Sequence, residues 1–408
     1  LSGDVTMANT GAVTIANDAV DIAMLSATGT ASSSTFLRGD NSWQTAGVST
    51  LAALTDATIS SSNPAIDTNP SSGVGHLWLN STSGEGYVAT DVTTDDNVWT
   101  NLGTGAGDIT SSYVLEYLVI GGGGAGGGYY RSGGGGAGGY RNSYASETSG
   151  RASSTETPWT VLTGNTLTVT VGAAGAMADD TNGGTGGTSS IAMTGQTTVS
   201  SYGGGGGGKY GTAATAGTYG SGGGAGHGDN VIYAGSDGTA AQGFDGGDTP
   251  ANTIPQGGTG GGAGATGVDG GTGSATAGGA GLSSDITGSS VTRAGGGGSG
   301  SYLAGGYSSG GAGGGGNGGS DDASDPNSGV ADGHGYYFPL NATVNTGGGG
   351  GGTAGGAGNS SYGAGGSGVV ILRMPTSNYT GTTTGSPTVA TDGTDKVLTF
   401  TGNGTYTT

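Results

Sequence analysis

The sequence predicts a mainly β and irregular protein: β-rich modules, then a bundle of polyglycine II helices framed by short β-strands. Three observations carry this. Glycine divides the chain sharply, with 12 in residues 1–120, 86 in residues 121–368 and 5 in residues 369–408. Within the middle stretch the glycines are contiguous rather than spaced. One apolar segment leads into that stretch, YVLEYLVI at 113–120, and another, VVILRM at 369–374, leads out of it. The predicted organisation is therefore 1–107, β-rich modules; 108–375, the glycine-rich bundle with exposed loops; and 376–408, a C-terminal β segment.

Charge and composition exclude several functions. With 8 Lys plus Arg against 28 Asp plus Glu, the net charge is −20. Nucleic-acid binding needs a basic footprint, and none exists here. No apolar run approaches the roughly 20 residues of a membrane span, so no membrane insertion is expected. The chain has no cysteine, hence no disulfides and no thiolate metal site. It opens on Leu1, the mark of a processed or truncated start.

The first region reads as small β modules. GDVT at 3–6 recurs as GAVT at 11–14, a short repeat of strand and turn. Residues 18–25 read as a short helix capped by Asn17 or Asp18. A Ser/Thr-rich stretch follows at 26–45. Strands at 76–80 and 86–90 flank the turn STSGE, a hairpin signal. Three of the four Trp lie in the first hundred residues, where they can anchor small cores. Strands this thin are more secure when several chains share a core, which predicts an oligomer.

The second region poses a problem of cohesion. Residues 172–368 contain only 15 Leu, Ile, Val or Phe. Ordering each residue costs about 1–2 kcal/mol, and glycine costs more than most. Hydrophobic burial cannot offset that, so a dense backbone hydrogen-bond network must. An α-helix does not suit contiguous glycine, at about 1 kcal/mol per Gly relative to Ala. Collagen needs glycine at every third position with abundant proline, and this chain has 9 prolines in all. A flexible linker fits the composition but not an ordered chain. The remaining option is an extended threefold helix made of glycine. Such a helix has no internal hydrogen bonds, so each N–H and C=O must find a partner on a neighbour. Side chains would block close approach, so interior positions should be glycine, with alanine only at the margins.

The segments between the runs then become loops at the two ends of the bundle, rich in Tyr, Ser, Asn, Thr and Asp. Thirteen of the 18 tyrosines fall between residues 121 and 368. Tyr with Ser, Gly and Asn is the composition of antibody loops, which combine rigid amphipathic contacts with adaptable hydrogen bonding.

SATGTASSSTFLRGDNSWQT at 26–45, HLWLNSTSGEGYVATDVTTDDNVWTNLGTG at 76–105, YLVIGGGGAGGG at 117–128, GGSGVVILRMP at 365–375 and VLTFTGNGTYT at 397–407 resemble the tail fibres of phages, marine ones especially, that carry a glycine-rich tip domain. The middle region is similar to tip adhesins built as polyglycine II sandwiches. The resemblance implies a non-enzymatic adhesin of the virion tail fibre. It implies attachment to a host cell-surface receptor, an outer-membrane protein or a glycan. It also implies a homotrimer joined to other tail or fibre proteins, with no cofactor.

Counting runs outward from the strands at 113–120 and 369–374 assigns the loops. The run 121–128 travels outward, which puts Tyr129, Tyr130 and Arg131 at the far tip. Counting back from the exit places Tyr362 there too, and one more out-and-back adds Tyr302 and Tyr307. The same parity places the long loop 320–346 at the base, although Tyr336, Tyr337 and Phe338 form the best hot-spot cluster by composition. These nine residues are the candidates for receptor contact.

Other motifs have simpler readings. Gly121, Gly123 and Gly126 satisfy G-x-G-x-x-G, but more glycine follows where a dinucleotide site needs a helix. Gly203 to Lys209 mimics a P-loop, but Tyr210 stands where Ser or Thr should meet magnesium. His76, His227 and His334 are scattered, and His334 beside Asp332 reads as a solvated turn. Acidic groups at Asp179–Asp180, Asp245 with Asp248, and Asp321–Asp322 with Asp325 match no calcium loop and read as solvated turns, so no metal is expected. Three alternatives stay open beside the tail fibre: a bacterial extracellular filament or surface adhesin subunit, an ice-binding polyglycine protein, and a glycan-cleaving fibre enzyme.

Overall fold

The computed structural model describes residues 5–16, 26–45, 55–103, 112–251, 256–271, 276–302, 308–320, 338–355 and 363–408. The chain divides into two compact units, Leu1–Ser111 and Ser112–Thr408. The helix expected at 18–25 lies outside the described residues.

In the first unit the short repeat forms one hairpin: β1 (Val5–Met7) pairs antiparallel with β2 (Val13–Ile15). A second hairpin joins β3 (Thr35–Leu37) to β4 (Trp43–Thr45). Val5, Met7, Val13, Ile15, Phe36 and Leu37 are all exposed. A four-stranded sheet follows, with β5 (Ala57–Ser60) parallel to β6 (Leu77–Asn80), and β7 (Gly86–Thr93) and β8 (Asp96–Asn101) antiparallel beyond it. Its core is Tyr87, Ala89 and Trp99, with Trp78 packed against it. His76 is fixed there by hydrogen bonds between its ring nitrogens and the Thr58 and Ser72 hydroxyls, at 2.8 and 2.7 Å.

The second unit is built on two sheets and a bundle. β9 (Ser112–Ile120) is edged on one side by β10 (Tyr140–Asn142) and β11 (Trp159–Leu162). A second sheet contains β12 (Thr166–Thr170), β13 (Ser189–Ala192) and β14 (Val199–Ser201). The hairpin β15 (Leu282–Ser284) and β16 (Val291–Arg293) forms a separate two-stranded sheet. The other side of β9 pairs with β17 (Val369–Pro375), Val369 opposite Ile120 and Arg373 opposite Glu116, so the two framing strands lie together as expected. The C-terminal segment is woven into both sheets. β18 (Thr383–Thr384) and β21 (Gly404–Thr407) extend the β12 sheet, while β19 (Thr388–Asp392) and β20 (Asp395–Phe400) extend the β17 sheet.

Alternation of side chains gives β9 and β17 two buried faces. Tyr113, Leu115, Tyr117 and Val119 join Val370, Leu372 and Met374 in a core shared with Leu167, Val169 and Ile191 of the second sheet. Leu118, Ile120, Val369 and Ile371 point the other way, onto Ala137, Ala263 and Ala294 at the foot of the glycine runs. Burial of large apolar groups is therefore concentrated at this base.

Beyond Ile120 the chain continues as an extended helix with threefold hydrogen bonding. The N–H groups of Gly121, Gly124 and Gly127 donate to Gly139, Gly136 and Gly133. Those of Gly122, Ala125 and Gly128 donate to Gly187, Gly184 and Thr181, and those of Gly123 and Gly126 to Gly366 and Gly363. Its carbonyls accept from Gly204 and Gly207, from Gly350 and Thr353, and from Gly175. Six neighbouring segments thus surround residues 121–128, which is the hexagonal lattice that polyglycine II requires. Each bond contributes only about 1 kcal/mol net, but every N–H from Gly121 to Gly128 has a partner.

Glycine is demanded by the separation of the helices. A Cβ on Gly123 would lie 1.9 Å from the Gly348 carbonyl oxygen, and one on Gly349 the same distance from that of Gly135. Alanine, however, is not confined to the margins. Ala125 is fully buried in the central helix. It donates to Gly184 and accepts from Gly207, so its methyl group costs the lattice no hydrogen bond.

Candidate functional site

The end of the bundle opposite the sheets gathers the loops. Residues 121–128 run outward and 133–139 return, since their paired residues march in opposite directions. At about 3.1 Å per residue the outward run spans about 25 Å. Residues 294–301 run outward as well, because Gly297 donates to Gly135 and Gly300 to Ser132. Tyr302 therefore arrives beside Tyr130 and Arg131. The run 203–208 is parallel to 121–128, with Gly204 and Gly207 donating to Gly122 and Ala125, so Tyr210 reaches the same end.

These side chains form one cluster. The Tyr129 and Tyr130 rings meet edge to face, 5.2 Å between centroids. Tyr130 also meets Tyr210 at 6.4 Å and Tyr302 at 6.5 Å. The Arg131 guanidinium carbon sits 4.9 Å from the centre of the Tyr302 ring, a cation–π contact. Tyr129, Tyr130, Arg131 and Tyr210 line a recess of about 260 Å³. The Tyr210 hydroxyl donates to Asp229 Oδ1 at 2.9 Å, and the neighbouring Lys209 pairs with Asp180 at 3.0 Å. The hydrogen bond to Asp229 holds the Tyr210 hydroxyl above its ordinary pKa, with burial adding to the effect.

The backbone here is strained. Tyr130 and Arg131 have φ of 21° and 42°, a region few residues with a Cβ occupy. The lattice holds them there. Arg131 N–H donates to the Ala354 carbonyl at 3.3 Å, and His227 N–H to the Arg131 carbonyl at 3.0 Å. Ser132 is fully buried and donates through its hydroxyl to Gly127 at 2.6 Å. Strain maintained by surrounding structure is typical of functional positions.

Four of the nine candidates from sequence, Tyr129, Tyr130, Arg131 and Tyr302, come together. Tyr307, Tyr336, Tyr337 and Tyr362 lie outside the described residues. Phe338 is half-buried and begins the segment that leads back to the base. The parity count for the long loop requires correction. Gly313 and Gly314 take φ of 103° and 95° and reverse the chain, so 315–320 runs outward again, with Gly298 and Ser301 donating to Gly316 and Gly319. Residues 339–343 then run inward, with Leu340 and Thr343 donating to Asn317 and Gly314, and a turn follows at 344–347. Ser320, which precedes the loop, is therefore at the far end and not at the base. The count missed this pair of segments because a helix at the margin of the lattice tolerates side chains, as the exposed Asn341 and Thr343 show.

Tyr210, Asp229 and Lys209 were missed as site residues. The signal was present: Tyr210 follows the run 203–208 much as Tyr129 follows 121–128. A second recess, of about 390 Å³, lies at the base between Tyr117, Arg141, Glu156, Trp159 and Gln196. Its two charges neutralise each other, since Arg141 grips Glu156 through both Nε and a terminal nitrogen. Asp180 pairs with Lys209, Asp245 pairs with Arg151 at 2.8 Å and Asp248 accepts from Gly235 N–H, while Asp321, Asp322 and Asp325, and His334 beside Asp332, lie outside the described residues. Among the described residues no group of three or more His, Cys, Asp or Glu is arranged to hold a metal.

Compared with known proteins, residues 100–375 match the model of a glycine-rich domain family. No curated protein and no solved structure matches the chain.

Proposed function

We propose that this chain, which belongs to the glycine-rich domain family, is a phage tail-fibre adhesin that attaches the virion to a receptor on the host cell surface. One observation supports this above the others. A rigid polyglycine lattice holds Tyr129, Tyr130, Arg131, Tyr210 and Tyr302 together at the end opposite its sheets. Aromatic and arginine side chains are the usual anchors of a binding surface. Binding through them costs little conformational entropy, because the lattice has already fixed them. The chain acts in this proposal as a binding protein and not as an enzyme, as a homotrimer, alongside other tail or fibre proteins.

Immunogold labelling with antibodies against the chain tests the assignment. Label on the tail fibres of purified virus particles is expected. Label confined to bacterial envelopes or filaments would overturn it in favour of a bacterial surface protein.

A further inference from the structure

On the footing that this chain is an adhesin, we infer that its receptor is a glycan, and that the recess at the bundle tip takes one anionic pyranose ring, a uronic acid or a sugar phosphate. The recess holds about 260 Å³. That lies just under the range of about 300–1,000 Å³ typical of drug-sized ligands, and suits a single ring. Its walls are aromatic. Tyr129, Tyr130 and Tyr210 line it, the Tyr130 ring inclined at 75° to that of Tyr129 and at 69° to that of Tyr210. A pyranose offers C–H groups on its faces and hydroxyls on its rim, which match a ring face and a polar border.

The anionic preference comes from Arg131. The chain has 8 Lys and Arg and a net charge of −20. The ion pairs of the described residues occupy Arg38, Arg141, Arg151, Lys209 and Arg373, but not Arg131. Its Nε is buried and makes no hydrogen bond. The Tyr302 ring holds one side of the guanidinium at 4.9 Å, and the group's planar fork suits a carboxylate or phosphate. Of the nearby charges, Lys209 is already paired with Asp180, and Asp229 accepts from Tyr210. Asp229 keeps lone pairs for a sugar hydroxyl. The recess therefore offers stacking surface and one cation in no ion pair among the described residues, with the Asp229 carboxylate bonded to its Tyr210 wall as a hydroxyl acceptor.

Calorimetric titration of the full chain with methyl glucuronide, glucose 1-phosphate and methyl glucoside tests this. At least one anionic sugar should bind about tenfold more tightly than the neutral one, the value of one charged hydrogen bond. The stronger of the two anions identifies the source of the charge. Arg131→Gln should erase the difference, and Arg131→Lys should keep part of it. Thermal melting of each variant shows whether it is folded. Equal or no binding of all three sugars by the folded wild-type chain would overturn the inference. Binding of fluorescent chain to host cells separates this from the adhesin proposal. Cell binding without sugar selectivity removes the ligand class alone. Sugar selectivity in a chain absent from virions removes the phage assignment alone.

Discussion

Arg131 and Tyr302 are far apart in sequence, yet the guanidinium of one lies 4.9 Å from the ring centre of the other. One hydrogen bond sets the meeting: Gly300 N–H donates to the Ser132 carbonyl at 2.9 Å. It aligns the end of one outward run with the turn that closes another.

If this cluster contacts the receptor, removing its rings should abolish attachment without harming the fold. The triple variant Tyr129→Ser/Tyr130→Ser/Tyr302→Ser should lose at least about tenfold in cell binding, since anchors of this kind are worth about 2 kcal/mol or more each. Its melting temperature should stay nearly unchanged, because all three rings are at least partly exposed. Fluorescent chain on host cells provides the measurement. Full binding by this variant, with loss in Tyr336→Ser/Tyr337→Ser/Phe338→Ser, would move the contact to the long loop.

The lattice predicts a sharp contrast among small residues. Gly349→Val would press a side chain against the Gly135 carbonyl, and Gly205→Val against Gly223 N and the Tyr219 ring, both at 2.9 Å. Each should cost about 3 kcal/mol or more through overpacking and lost backbone bonds. Ala176 is exposed on the margin, and Ala176→Val should stay within about 0.5 kcal/mol. Denaturant unfolding compares them, and equal midpoints would refute the close-packed lattice.

The first unit should assemble with copies of itself. Isolated two-stranded hairpins are marginal in water, and β1–β2 leaves Met7, Val13 and Ile15 more than half exposed. Light scattering on the full chain should give a trimer. Met7→Lys/Ile15→Lys should weaken it, and a monomeric wild type would contradict the proposal.

Alkaline pH should attack the base of the second unit. Burial is the main cause that raises the Tyr113, Tyr117 and Tyr140 hydroxyls well above 10.0, assisted by Tyr406, Glu156 and Glu147 respectively. A raised folded-state pKa favours the protonated form. The stability it contributes is therefore complete below pH 10 and is lost as pH rises toward the folded values. Guanidinium unfolding on either side of pH 10 should show this loss, together with delayed tyrosinate absorbance in the folded chain.

Much of the architecture was legible in the amino-acid order. The apolar runs at 113–120 and 369–374 marked the strands that meet as β9 and β17. Contiguous glycine with almost no large apolar residues left a backbone lattice as the source of cohesion. Counting one run outward placed Tyr129, Tyr130 and Arg131 correctly in relation to Tyr302. The tertiary structure alone decided that Gly313 and Gly314 reverse the chain, that residues 339–343 serve as a helix, and that Tyr210, bonded to Asp229, completes the recess. The reason lies in the lattice itself. A polyglycine helix makes all its hydrogen bonds to neighbours, and one glycine is chemically identical to the next. No local signal names the partner of Gly124 or Gly135. Neighbours and register are chosen only when the whole bundle closes and every N–H must find a carbonyl.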